Sequence, residues 1–469
     1  MAKTVLKRRD FLRASGVVGG ALAVTSCFAN IRRTPPERPP NFLIILSDDH
    51  AYRAIGYNNP AVKTPAFDRL AHEGVIFEHA YVASPICLAN RASLLTGLFP
   101  QQHGSVALDG GGFRRHVVDE ARYETVAHLL FQAGYATAFC GKSHLGHPRD
   151  YGFAHGEEHR GPDDEATFAF AMRFLEERQG SDAPFLLWVA PHQPHLPLRP
   201  SPEWVDLYQD AKLDVDPNFR ESPPEGSLYN QGLPGERYYR DSGHRQNHGN
   251  LPGGPPRSRE TMIEFIRAYY AVISRLDAQV GELMAQLQRT GFYQDTVVVY
   301  LSDNGYLLGN HGLGNKITMH EESVRVPMFI HWRALPHSGV TCPALVSSLD
   351  LPPTVLDLAQ IPAPEHIAGC SLVPLLGRPD TELRKYVASE CVGVGGEQGT
   401  GHRMVRTTKW KYVLTGANDE ALFDEEADPY ERNNVAGVTA HRRVLARMRR
   451  YMKEWMDRTG DTHQRPPIG

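Results

Sequence analysis

Two carboxylates stand side by side at Asp48 and Asp49, and a third stands beside an amide at Asp303 and Asn304. Adjacent carboxylates repel unless a cation or other positive charge lies between them. Three carboxylates and an Asn oxygen suit a hard divalent cation, and the lack of Cys or clustered His beside them argues against zinc. Calcium is the first expectation, because it tolerates irregular oxygen geometry, and magnesium the second. Cys87 and Arg91 lie four residues apart, on one face of a helix whose start favours an anion. A sulfur beside a fixed guanidinium can be a reactive centre, and the competing reading is a small buried residue with a solvated arginine nearby. Lys142 and His144, two apart, point to one side of an extended backbone, where they could hold an anion and move a proton. His192 and His195 lie in the loop Pro191-His192-Gln193-Pro194-His195-Leu196-Pro197, whose three prolines hold the imidazoles at little further entropy cost.

The runs that carry these residues read as a sheet. Phe42 to Leu46 and Thr296 to Leu301 are apolar at every position, the pattern of strands covered on both faces. Each ends in its acidic pair, where open α/β sheets place ligands. Val75 to Val82, Tyr135 to Cys140, Phe185 to Ala190 and Val326 to Trp332 are further strands. Helices are expected over Thr64 to His72, with Thr64 as cap and Pro65 at the first position, and over Tyr123 to Ala133 and Phe168 to Arg178. A stripe from Ile266 to Leu287 keeps helical spacing up to Gly291. Residues 209–259 are polar and rich in Pro, Gly, Arg and His without a period, and read as cleft wall or as surface insertion. From Tyr386 short runs follow at hairpin spacing, then a helix over His441 to Arg458. The expected class is α/β: a large mixed, mostly parallel sheet sandwiched by helices, with a small C-terminal α+β subdomain carrying an antiparallel sheet.

Composition sets the outer bounds. The chain has 469 residues, 41% hydrophobic and 22% charged, which excludes disordered and fibrous classes. A net charge of −4 gives no reason to expect nucleic acid as a partner. Lys7-Arg8-Arg9-Asp10-Phe11-Leu12 is a twin-arginine pattern followed by a mildly apolar run too short to span a bilayer. Val24-Thr25-Ser26-Cys27 then resembles a lipobox, with Cys27 as a candidate for lipidation and membrane anchoring. The expectation is export by a bacterium, to the periplasm or to an envelope lipid anchor. The remaining five cysteines are irregularly spaced and contain no Cys-x-x-Cys, so neither a disulfide framework nor a zinc knuckle is indicated. The organisation read from these signals is a signal segment at 1–27, a Pro-rich linker at 28–40, a catalytic domain at 41–385 and a C-terminal subdomain at 386–469.

Cys87-x-Ala89-x-Arg91 followed by Ala92-Ser93-Leu94-Leu95-Thr96-Gly97 resembles the signature of type I sulfatases, formylglycine-dependent members of the alkaline-phosphatase-like superfamily. The commoner signature has Pro where this chain has Ala89. Gly141-Lys142-Ser143-His144-Leu145-Gly146 is similar to a second element of that family, with Ser143 where an aromatic is usual. The resemblance covers residues 41–435. It implies that Cys87 is oxidised after translation to formylglycine, whose hydrate is the nucleophile. It implies further that calcium is held by Asp48, Asp49, Asp303, Asn304 and position 87, with Arg91 as anchor of that position. Lys142 and Lys316 would contact the sulfate, His192 would protonate the leaving alcohol, and His144 would take a proton from the second hydroxyl. His195 and His311 are weaker candidates. The implied partners are a sulfated oligo- or polysaccharide, a cytosolic formylglycine-forming enzyme and the twin-arginine (Tat) export machinery. Two other readings are a phosphodiesterase or phosphonate monoester hydrolase on the same fold, and a carbohydrate-binding protein without turnover.

Overall fold

In the computed structural model of the chain, the described residues are 38–106, 123–159, 164–223, 258–392, 401–415, 419–463 and 466. The signal segment, most of the linker and residues 224–257 of the long polar segment lie outside them.

The fully apolar run at the start forms β1 (Asn41–Ser47), and its side chains alternate between two cores. Phe42, Ile44 and Leu46 face one cluster, while Leu43 and Ile45 face the other. With a side-chain period of two, a strand apolar throughout must be covered on both faces. β2 (Val75–Tyr81) departs from this only at Glu78 and His79; β3 (Ala136–Gly141) is buried but for its first residue, the short β4 (His155–Glu158) is a polar strand at the sheet edge, and β5 (Phe185–Ala190) and β6 (Thr296–Ser302) are again buried throughout. A two-stranded ribbon, β7 (Leu307–Leu308) with β8 (Gly314–Asn315), follows β6. β9 (Met328–His331) and β10 (Val340–Ser347) then complete an eight-stranded sheet in the order β10-β2-β9-β6-β1-β5-β3-β4. β9 runs antiparallel to both β2 and β6, and the other pairings are parallel.

Helices lie over both faces. The Cys87–Thr96, Val126–Gln132 and Leu351–Leu358 helices feed one core, and the Pro65–His72, Glu165–Glu177 and Arg259–Arg289 helices feed the other. Thr64 stands at the expected cap position, but its hydroxyl does not cap the helix. It accepts from Gly56 N–H and donates to Asp68, while Asp277 of the long helix accepts from the N–H groups of Ala66 and Phe67. A carboxylate from a neighbouring helix satisfies the orphan donors more strongly than a hydroxyl does.

Beyond the main sheet, β11 (Val387–Cys391), β12 (His402–Arg406), β13 (Trp410–Leu414) and β14 (Glu420–Asp424) form an antiparallel sheet in that order. The Arg442–Thr459 helix lays Leu445, Met448, Met452, Trp455 and Met456 on one side of it, against Tyr412, Leu414 and Leu422. The expected fold class is therefore the observed one. Among the described residues no helix is long and apolar enough to cross a membrane.

Candidate active site

Four neighbouring strands, β6, β1, β5 and β3, run parallel and end on the same side. Ser47 pairs with Ser302, so Asp48-Asp49 and Asp303-Asn304 leave the sheet in register. β5 delivers the His192–His195 loop next to them, and β3 delivers Lys142 to His144. The Cys87 helix starts after β2, two strands away, and is drawn over the strand ends by its own side chains. Asn90 Nδ2 donates to the Asp303 carbonyl at 2.7 Å, and Arg91 Nε donates to Asp303 Oδ2 at 2.7 Å. Arg91 also reaches Asp48 Oδ2 at 3.4 Å and the Lys142 carbonyl. Lys142 Nζ pairs with Asp48, and Lys316, at the end of the β7–β8 ribbon, pairs with Asp49. Every residue of this set except His192, His195 and His144 is buried.

Lys142 and His144 do not share one side of an extended backbone, as their spacing had suggested. β3 stops at Gly141, and His144 has φ 66°, in the left-handed region. The pair comes together through this turn and not through strand alternation.

Charge is nearly balanced here, with three carboxylates facing Arg91, Lys142 and Lys316. Burial alone would raise the Asp48 carboxyl, but Lys142, His195, Arg91 and Lys316 together hold it well below the usual range. Burial pushes Asp49 up to about 7 against the pull of Lys316, with Asp48 adding to the rise. Asp303 is raised by burial and by Asp48, while Arg91 pulls it down. Burial works against the Lys316 ammonium, yet Asp49, Cys87 and Asp48 hold it well above the ordinary lysine value. His144 is kept neutral by burial and by Lys142.

The donors fit a cation. One ligand atom from each of Asp48, Asp49, Cys87 and His195 lies within 4.8 Å of the others. Asp48 Oδ1 and Asn304 Oδ1 are buried with no hydrogen-bond donor. The Asn304 amide is oriented by its Nδ2, which donates to Asp49 Oδ1 and Gly305 O, so its oxygen is left for a ligand. Buried oxygens without donors cost about 1–3 kcal/mol each, which a hard cation removes. Asp303 Oδ2 accepts from Arg91 Nε and its Oδ1 from Asp49 N–H, which fixes the carboxylate beside the other two.

Cys87 opens its helix at 1% exposure. The macrodipole does not make it a thiolate. Burial pushes its thiol up to about 12, although Lys316 and Lys142 pull the other way. Arg91 faces the carboxylates rather than acting as a partner reserved for the sulfur.

His192 Nε2 lies 3.2 Å from the Leu196 carbonyl, which makes it the protonated nitrogen and leaves Nδ1 to titrate. Burial and Lys142 lower its pKa to about 4. His195 is closer to the acids than the sequence suggested, with Nε2 at 3.7 Å from Asp49 Oδ2 and its ring 4.8 Å from that of His192. Its place after His192 in the same proline-bound loop was the only signal for it. His311 is in another cluster, stacked at 3.7 Å on His320 beside Glu431 and Glu322.

Comparison with known proteins agrees with this geometry. The sulfatase family model matches residues 40–361, and a model of the N-sulphoglucosamine sulphohydrolase C-terminal region matches 309–458. An ulvan-active sulfatase of Formosa agariphila is 29% identical over 85% of this chain and 77% of its own. A protein solved with its substrate D-glucosamine-2-N,6-O-disulfate has a TM-score of 0.76 at 24% identity, covering 90% of this chain and 98% of its own. The phosphonate monoester hydrolase of Agrobacterium radiobacter shares the fold, with a TM-score of 0.75 at 19% identity over 90% and 96% of the two chains. The chain belongs to the sulfatase family, and is a sulfuric ester hydrolase.

Proposed function

We propose that this enzyme removes sulfate from a sulfated carbohydrate, using a formylglycine hydrate formed from Cys87. The observation that carries the reading is a cysteine at 1% exposure set among acids and cations at the ends of four strands. The hydrate of a formylglycine supplies two hydroxyls on one carbon, one to attack sulfur and one to expel sulfate afterwards. A calcium ion held by Asp48, Asp49, Asp303, Asn304 and position 87, with His195 alongside, would supply charge to offset the sulfuryl oxygens. Lys142 and Lys316 offset the same charge from opposite sides of the acid pair. His192, neutral at rest, takes up at Nδ1 the proton released by the attacking hydroxyl and passes it to the departing alcohol, and His144, also neutral at rest, accepts one from the second hydroxyl. Arg91 holds the three strand ends together beneath position 87.

A saccharide is favoured because the relatives above are an ulvan-active sulfatase and a protein bound to a glucosamine disulfate. The twin-arginine pattern supports export after folding, so a cytosolic enzyme would oxidise Cys87 before burial hides it. Mass spectrometry of the tryptic peptide Leu70–Arg91 from active enzyme should find the aldehyde; an intact thiol there would sink the mechanism. The fold shared with a phosphonate monoester hydrolase favours one second reading. Parallel rates on aryl sulfate, phosphate and phosphonate esters separate the two, and the sulfate should be fastest.

A further inference from the structure

We propose that Asp164 is a positioning residue for His192, an inference that rests on the reading of His192 as the proton donor to the leaving alcohol. Asp164 immediately precedes the Glu165–Glu177 helix, where an aspartate normally accepts from the first N–H groups of its own helix. It makes no such bond. Its backbone is left-handed, with φ 55°, a conformation that Asp tolerates better than most residues. That turn aims both carboxylate oxygens at the histidine loop. Oδ1 accepts from His192 N–H at 2.7 Å, and Oδ2 accepts from Gln193 N–H at 2.9 Å.

The need for this clamp lies in the chain after β5. Pro191 has no N–H, so His192 and Gln193 carry the first backbone donors beyond the strand. Left unpaired beside a buried site they would be costly, and a carboxylate makes charge-assisted bonds stronger than a neutral acceptor could. Asp164 is only 5% exposed, so its bonds form away from bulk water. The consequence spreads one residue further, because the Gln193 carbonyl accepts from Asp48 N–H at 3.2 Å. One carboxylate thus sets the peptide planes that aim the His192 ring and brace the strand end bearing Asp48. Both bonds go to backbone N–H groups, so through them Asp164 acts on the histidine by way of the peptide chain.

The test uses the full-length matured enzyme and a series of aryl and alkyl sulfates whose leaving alcohols differ in pKa. A proton donor matters most for poor leaving groups, so misplacing it should steepen the dependence of kcat/KM on leaving-group pKa. Asp164→Ala is expected to lose about 10- to 100-fold on alkyl sulfates and only a few-fold on the most activated aryl sulfate. Asp164→Asn, which keeps one acceptor oxygen, should fall between wild type and the alanine variant, and it serves as the working variant if the alanine form does not fold. His192→Ala is run beside them. Equal losses of the Asp164 variants on all substrates, or no loss, while His192→Ala steepens the dependence, would overturn the positioning role and leave His192 as the proton donor. A His192→Ala enzyme with unchanged leaving-group dependence overturns both.

Discussion

Arg91 Nε lies 2.7 Å from Asp303 Oδ2, and through this pair the helix that begins at Cys87 is tied to the end of β6. The same guanidinium meets Asp48 after β1 and the Lys142 carbonyl after β3. Arg91 is 3% exposed and the two aspartates are fully buried. Removing one member of a buried ion pair leaves the other without compensation and costs about 3–5 kcal/mol. Arg91→Ala should therefore lose a large part of that stability as well as activity. Arg91→Lys should recover part of the stability but little of the activity, because a point charge cannot serve three acceptors in a fork. Thermal melts alongside turnover check both; an alanine variant that melts with wild type would refute the account.

Position 87 gives the second prediction. Cys87→Ala removes a small buried group at a helix start, so the fold should survive with a change of about 1 kcal/mol or less. Turnover of an aryl sulfate should fall by at least about 1,000-fold, the loss expected when a nucleophile is removed. Circular dichroism with initial rates decides it, and residual activity near wild type would end the nucleophile assignment.

The third concerns the cation. Chelation followed by gel filtration should lower both activity and Tm, since two orphaned buried oxygens and the converging Asp48 and Asp49 carboxylates remain. Calcium should restore both more fully than magnesium, and Asp49→Asn should weaken the calcium-dependent rise in Tm. A melt indifferent to chelator and to added calcium would count against a bound ion.

The fourth is a dependence on pH away from the reacting groups. His103 buttresses the Cys87 helix: its Nε2 lies 3.0 Å from Ser93 Oγ, and Nδ1 accepts from Ser105 N–H at 3.1 Å. Burial lowers its pKa to about 3. The folded state therefore keeps it neutral, while the unfolded chain takes a proton near the ordinary value of about 6.5. Its contribution is complete above about pH 6.5 and is lost as pH falls toward 3, by up to about 1.4 kcal/mol per pH unit. Denaturant titrations of wild type and His103→Asn between pH 8 and 4 should diverge in slope by about one proton in that window. Parallel curves would show that His103 is not the group responsible.

Much of this was legible in the chain itself. Runs apolar at every position mark a sheet covered on both faces, and the acids at their ends stand where such sheets place ligands. The C-terminal hairpins were equally readable from their spacing, because strand alternation and turn chemistry are local. Elsewhere the tertiary structure replaces a local cause with another. Lys142 and His144 are gathered by a left-handed turn, and the helix expected to be capped by Thr64 is served by Asp277, more than 200 residues away.

Sequence alone determined which residue types stand at the ends of which strands, since hydrophobic period and punctuation are written along the chain. Only the tertiary structure decided how their charges and bonds are shared. It set Lys142 on Asp48, Lys316 on Asp49 and Arg91 on Asp303, brought His195 to the acids, and turned Asp164 toward His192. It also buried Cys87, where desolvation and the facing carboxylates push its thiol up against the pull of two lysines. Pairing across long separations and the loss of water around a group have no trace in local pattern, and both exist only once strands from opposite ends of the chain lie side by side.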